Sequence, residues 1–265
     1  MSYDKELTLA KILAIQAGKK ILEYYEQSDI EQSIKKDDSP LTAADLAANK
    51  IIVENIKKEF PNDAILSEEE KDSDKRLTNE RVWIIDPLDG TKEFLNKNGE
   101  FTVNIALVEN KKPVLGVIYV PTEETIYFAQ KGKGAFKKIQ EQEKTQLTNE
   151  EEESNNNEHI IATISRSHPS QKLQEFLDTH KITSTIAAGS SLKGCFVAEG
   201  KADMYPRFAG ACEWDIAAMD IIVREAGCIM CNWQWQDFTY NNKDVFISGL
   251  LIATKKAYAH IKKEL

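Results

Sequence analysis

The sequence predicts an α/β protein in two parts, an α+β N-terminal half followed by an α/β C-terminal half. Three patterns carry this expectation: amphipathic helical stretches at the start, a run of short strands in the middle, and strands alternating with helices from Ile160 onward. The first helix is expected over residues 4–26, because Leu7, Ala10, Leu13, Ala14, Ala17, Ile21, Leu22 and Tyr25 recur on one face. Thr42 to Asp45 has the form of a capping box and opens a second helix to about Phe60, expected to turn Leu46, Ile52, Val53, Ile56 and Phe60 inward. Strands follow at 64–67, 82–86, 102–109, 114–120 and 125–130. A turn at 121–124 joins the last two, and such a meander implies a mixed or antiparallel sheet. Residues 141–158, rich in Glu, Asn, Gln and Thr, read as an exposed acidic loop or partly disordered hinge. The second half then predicts a strand at 160–164, a helix after Ser170, a strand near 184, a helix after Ser190, a strand near 203 and a helix over 214–226. The implied organisation is 1–140, a loop at 141–158, and 159–265.

Composition narrows the function classes. A chain of 265 residues can bury a large core, and its formal charge of −9 argues against a nucleic-acid groove or a polybasic membrane contact. The start of the chain lacks the sustained apolar core of a signal peptide, and no run is long enough to span a bilayer, so a cytoplasmic protein is expected. Four cysteines, Cys195, Cys212, Cys228 and Cys231, sit in apolar surroundings that suit reduced core thiols. Cys228 and Cys231 form a C-x-x-C pair, but in a strand residues three apart point to opposite faces, and no second pair accompanies them.

The chemistry concentrates in Trp83-Ile84-Ile85-Asp86-Pro87-Leu88-Asp89-Gly90-Thr91. An apolar strand is expected to end at Asp86, with Pro87 fixing a turn, so that Asp86, Asp89 and the Leu88 carbonyl converge. Oxygen ligands of this kind suit Mg²⁺ or Mn²⁺. Gly90 permits close backbone approach, and Thr91 opens a short helix whose first N–H groups can face an anion. Further acids stand at element ends: Glu68-Glu69-Glu70 after the strand at 64–67, Asp215 in the first turn of a helix, and Asp45 at the start of another. Such positions cluster where α/β sheets bind ligands. Each acid also has a plainer reading, as a solvated run or a helix cap.

In order and spacing, Lys35-x-Asp37-x-Ser39-Pro40-Leu41-Thr42-Ala43-Ala44-Asp45, Leu66-Ser67-Glu68-Glu69, Asp86-Pro87-Leu88-Asp89-Gly90-Thr91 and Trp214-Asp215 resemble the motifs of the metal-dependent, lithium-sensitive phosphatases related to inositol monophosphatase. Asn98 to Leu107, Ile164-Ser165-Arg166-Ser167-His168, Gly189-Ser190-Ser191-Leu192-Lys193 and Val197 to Arg207 look like the CysQ branch, the 3′(2′),5′-bisphosphate nucleotidases. The resemblance implies a layered αβαβα sugar-phosphatase fold and removal of the 3′-phosphate from adenosine 3′,5′-bisphosphate with two or three Mg²⁺ ions. It assigns Glu68, Asp86 and the Leu88 carbonyl to one ion, and Asp86, Asp89 and Asp215 to a second. Thr91, hydrogen-bonded to Asp45, would accept a proton from the attacking water, with Glu69 assisting or serving a third ion. Gly90 and Thr91 N–H groups would bind phosphate oxygens, with Glu68, Leu88, Asp89 and Asp215 also at the substrate. His168, Ser190, Lys193 and Arg207 would contact the nucleotide and its 5′-phosphate.

Two departures stand out: Ala209-Gly210-Ala211-Cys212 where the family shows Gly-Pro-Thr, and Met219 where Gly is usual; both are expected to affect base or sugar packing more than the metal site. The resemblance leaves a sister activity on inositol monophosphate or another sugar phosphate as the alternative, and a non-catalytic nucleotide or metal sensor as one of another class. It also implies Li⁺ inhibition and allows peripheral association with the cytoplasmic membrane. Monomer and homodimer stay open.

Overall fold

The computed structural model describes residues 2–27, 32–34, 40–149, 159–166 and 170–263. Lys35, Asp37, Ser39, residues 150–158 and His168 lie outside them, so the reading of His168 as a nucleotide contact has no structural counterpart here. In chain order the first half comprises α1 (Asp4–Tyr25), β1 (Gln32–Ile34), β2 (Pro40–Thr42), α2 (Ala43–Glu59), β3 (Ala64–Ser67), β4 (Arg81–Asp89), α3 (Thr91–Leu95), β5 (Thr102–Glu109), β6 (Lys112–Val120), β7 (Thr125–Gln130), β8 (Ala135–Ile139) and β9 (Thr145–Leu147). The second comprises β10 (Ile161–Ser165), α4 (Gln171–Thr179), β11 (Ser184–Ala188), α5 (Leu192–Ala198), β12 (Met204–Arg207), β13 (Ala211–Cys212), α6 (Glu213–Glu225), β14 (Ile229–Cys231), β15 (Phe246–Ile247), β16 (Leu250–Ala253) and α7 (Lys255–Lys263).

Strands β3 to β9 form one sheet in sequence order, with β3 parallel to β4 and every later pair antiparallel. Alternation along these strands splits the apolar side chains between two faces. Trp83, Ile85, Val103, Ile105, Val117 and Phe128 pack with α1 and α2, whereas Val82, Ile84, Ala106, Ile118 and Tyr127 pack with α5 and α6. A second sheet, ordered β11-β10-β12-β16-β14, covers the other side of α5 and α6. Helices α4 and α7 close its outer face through Leu177, Ala257 and Ile261. The result is five layers in the order αβαβα, as the sequence resemblance implies.

Differences from the sequence reading have local causes. Leu46 is exposed, because the buried stripe of α2 runs through Ala44, Ala48, Ile52 and Ile56 and leaves Leu46 on the far side. β9 lies inside the stretch read as an acidic loop, where Thr145 to Leu147 pair with β8 and bury Leu147. β4 does not end at Asp86 but runs on to Asp89 through an irregular step.

The middle layer sits unusually close to the large sheet. A Cβ on Gly116 of β6 would come within 2.5 Å of the Ala218 carbonyl oxygen in α6. Backbone cannot yield as a flexible side chain can, so Gly116→Ala is expected to lower unfolding stability by about 1–3 kcal/mol. Urea denaturation checks this, and an unchanged midpoint would show that α6 has slack against the sheet.

Candidate active site

Both sheets present the carboxyl ends of parallel strands to one cleft. β3 and β4 end there at Ser67 and Asp89, and β10, β11 and β12 deliver Ser165, Ala188 and Arg207. Between Asp86 and Asp89 the register against β5 slips: Asp86 faces Asn104 and Asp89 faces Thr102, three residues spanning what two span on the partner. Residues three apart on a regular strand point to opposite faces, and the extra residue turns both carboxylates the same way. Pro87, which has no N–H to donate, sits inside this bulge, where a ladder bond is already missing. The Leu88 N–H donates to Asp86 Oδ1 at 3.1 Å, which ties the bulge down.

The four expected ligand carboxylates meet. Oxygens of Asp86, Asp89 and Asp215 lie within 4.8 Å of one another, the one such metal-suited group of His, Cys, Asp and Glu among the described residues. Glu68, whose N–H donates to the Ile85 carbonyl within β4, hydrogen-bonds to Asp86 through its side chain. Burial, then the Glu68, Asp89 and Asp215 charges, raise the Asp86 pKa well above the carboxylate range. Asp215 is pushed up to about 7, chiefly by burial and by Asp89, against the opposing pull of Arg207. An all-oxygen donor set whose members disfavour one another's ionised form matches a hard divalent cation such as Mg²⁺.

Two helix starts point acids at the cleft. In α2, Asp45 completes a capping box: Thr42 N–H donates to its Oδ2 at 2.8 Å, while Oδ1 accepts from the Thr91 hydroxyl at 3.3 Å. In α6, Asp215 is the third residue of a second capping box, its Oδ2 accepting the Cys212 N–H at 2.8 Å. The cap reading and the site reading are therefore both true, divided between two oxygens in Asp45. Glu69 is half-buried in the turn after β3, beside Glu70, whose Oε1 accepts from Asn49 of α2.

Thr91 and Asp89 share a cavity of about 340 Å³ with Asp215, Ser190, Lys193 and Arg207. Gly90, at φ +95°, caps the five-residue α3 in a conformation only glycine adopts freely. Ser190 holds a left-handed φ of +43° without that freedom, and its Oγ is buried with no hydrogen-bond partner. Strain and an orphaned hydroxyl in one residue mark a position shaped for something other than stability. Lys193 is only 3% exposed; its Nζ donates to the Ser190 carbonyl at 2.6 Å and lies 5.4 Å over the Tyr205 ring. Arg207 donates to the Gly210 carbonyl at 2.6 Å and feels the Asp215 and Asp89 charges. Among the described residues neither cation forms a salt bridge, so their charge is held in place by neutral acceptors.

Sequence reasoning missed the residues that hold Asp89. Ser191 donates to Asp89 Oδ2 at 2.8 Å and accepts from Asn104 at 2.9 Å, and Asn104 also reaches Asp89 Oδ2 at 3.3 Å. A lone Asn in the otherwise apolar run of β5 was the available signal. Of the departures, Ala209 and Gly210 line the cavity, whereas Ala211 is buried in β13 and Met219 in the helical layer. Met219 fits because its sulfur crowds the space a Cβ on Gly194 of α5 would take. Cys228 and Cys231 are buried and free, and burial pushes the Cys228 thiol up to about 12. Among the described residues no helix is long and apolar enough to cross a membrane.

Comparison with known proteins agrees with the geometry. The chain is 40% identical over 238 residues to the 3′(2′),5′-bisphosphate nucleotidase CysQ of Salmonella typhimurium, covering 89% of this chain and 94% of that one. It is 41% identical over 231 residues to the CysQ of Buchnera aphidicola, covering 86% and 85%. The crystal structure of CysQ from Bacteroides thetaiotaomicron superposes with a TM-score of 0.81 at 38% identity, over 95% of this chain and 97% of the other. A Thermotoga maritima IMPase shares the fold at 24% identity, with a TM-score of 0.81 over 98% and 96%. Residues 3–265 match the inositol monophosphatase family, and the chain is a member of it.

Proposed function

We propose that the chain is a Mg²⁺-dependent phosphatase that removes the 3′-phosphate of adenosine 3′,5′-bisphosphate, leaving AMP and phosphate. The observation that carries this reading is one cavity with a carboxylate wall and, facing it, two cations held by neutral acceptors. The similarity to CysQ nucleotidases supports the same substrate.

Glu68, Asp86 and the Leu88 carbonyl would hold one ion, and Asp86, Asp89 and Asp215 another, with Glu69 close enough in sequence to serve a third. When bound, Mg²⁺ supplies charge neutralisation for the phosphoryl group and Lewis acidity toward water and the leaving oxygen. Thr91 gives its hydroxyl hydrogen to Asp45, which leaves the Oγ lone pairs for a water proton, so the pair can relay that proton away from the attacking oxygen. Gly90 and Thr91 line the cavity at the start of α3, and their N–H groups would bind the phosphate oxygens. Lys193, Arg207 and the free Ser190 hydroxyl would take the second phosphate, and the distance between the two anchors would select a bisphosphate.

Phosphate release from a substrate panel tests the reading: with Mg²⁺, adenosine 3′,5′-bisphosphate should be cleaved more efficiently than inositol monophosphate or fructose 1,6-bisphosphate. A reversed order moves the chain to a sister activity, and nucleotide binding without release makes it a sensor. Asp89→Asn should cut turnover roughly a hundredfold or more with the fold intact. Ser191→Ala should weaken apparent Mg²⁺ affinity by about 10–100-fold. Wild-type kinetics in both variants would remove Asp89 from the ligand set.

Lys193→Ala is expected to raise KM for the bisphosphate about tenfold while sparing a phosphate ester that lacks the second anionic group. Equal loss on both substrates would exclude Lys193 from the second phosphate site.

The raised Asp215 pKa has a signed consequence. A carboxyl whose folded value exceeds its unfolded one stabilises the fold at low pH, and that contribution disappears as pH rises through about 7. Mg²⁺ binds the ionised form and should reverse the trend, raising Tm more at pH 8 than at pH 6. In Asp215→Asn this pH dependence should shrink; an unchanged difference would show that Asp215 is not linked to the cation.

A further inference from the structure

We propose that a groove at the opposite end of the seven-stranded sheet is a second anion site, built for a small soluble molecule carrying two phosphate or sulfate groups. The strands alternate in direction from β4 to β7, so the carboxyl end of β7 lies away from Asp86 and Asp89 at the carboxyl end of β4. There a concavity of about 370 Å³ opens between the first turns of α1 and strands β7 and β8. No residue that lines it also lines the catalytic cavity.

Its floor is a pair of stacked rings, Phe128 and Phe136, with centroids 5.6 Å apart. The Lys11 ammonium stands 4.7 Å over the Phe128 ring and the Lys144 ammonium 4.1 Å over the Phe136 ring. Period-two alternation along β8 puts Lys138 on the same face as Phe136. Lys11 and Lys144 thus line the groove, and Lys138 stands near enough for its charge to act on Lys11, on a chain whose formal charge is −9. The acidic residue on the rim, Asp4, is already bound by Lys133 at 2.7 Å. Among the described residues no carboxylate pairs with Lys11, Lys138 or Lys144. Burial first, and then the charges of Lys144 and Lys138, hold the Lys11 pKa below its ordinary value.

The chemistry of the ligand follows from what the groove offers. Ammonium groups already cover the ring faces, so recognition falls to anionic groups and not to a stacked base. Three cations call for more than one negative charge. The concave shape and the acidic remainder of the surface favour a compact molecule over a polyanionic strand or a flat membrane.

Inorganic pyrophosphate is the probe, titrated calorimetrically with EDTA present, so that without divalent ions the catalytic carboxylates repel it. Wild type should bind one equivalent saturably. The Lys11→Gln, Lys144→Gln double variant should bind roughly a hundredfold more weakly, about tenfold per ammonium group, with Mg²⁺-dependent phosphatase activity unchanged. The single Lys144→Gln variant, at an exposed position, should give about a tenfold loss even if the double variant folds poorly. Lys58→Gln, on the exposed face of α2, should bind as wild type does. Absence of saturable binding, equal binding by all variants as for an adventitious ion only, or affinity for phosphatidylserine vesicles without affinity for pyrophosphate would each overturn the assignment.

Discussion

Mutual repulsion among closely spaced carboxylates around the buried Asp86 organises this molecule. Asp86, Asp89 and Asp215 come from two distant parts of the chain and approach within 4.8 Å, with Glu68 against Asp86. At that separation an ionised pair costs on the order of 3 kcal/mol even with substantial screening. A fold that accepts such a cost in one place must recover it from packing elsewhere, or from a cation that binds the acids together. The raised pKa values of Asp86 and Asp215 express the same fact: burial and the neighbouring negative charges disfavour their ionised forms.

The scaffold supplies the opposing force through close contact. The helical layer between the sheets is pressed so near β6 that only glycine fits at position 116, and α6 carries Asp215 at its buried start. On the other side of the large sheet α2 carries Asp45 in the same relation to its own first turn. Both helices use an aspartate three residues past the cap to bind the cap's N–H, which fixes the side chain's rotation. Capping therefore serves the site by orienting it, and the stability gained from a satisfied helix start offsets part of the electrostatic cost.

The cationic side of the cavity follows a different rule. Lys193 and Arg207 are steered by backbone carbonyls, and Ser190 holds a strained backbone with an unpaired hydroxyl. Neutral acceptors fix a cation in place without consuming its charge, so the field at the cavity remains available to an anion. This arrangement resolves the apparent conflict between an acidic protein and an anionic substrate, because the sign of the surface is decided locally.

Much of this was legible in the amino-acid order. Helix and strand types, the capping box at Thr42 to Asp45 and the closeness of Asp86 to Asp89 follow from spacing within a few residues, where local geometry leaves few options, while the motif resemblance named all four clustered acids. The motif order sufficed to place the chain in its family. Leu46 was misjudged because the buried stripe of α2 runs through Ala44, Ala48, Ile52 and Ile56 on another face, and β9 because a polar three-residue strand has no apolar pattern of its own. Tertiary structure alone decided that a bulge turns Asp86 and Asp89 the same way, that Ser191 and Asn104 hold Asp89, and that Met219 occupies the gap beside Gly194. Those contacts join residues far apart in the chain, and their geometry is set by how layers pack, which no local pattern encodes.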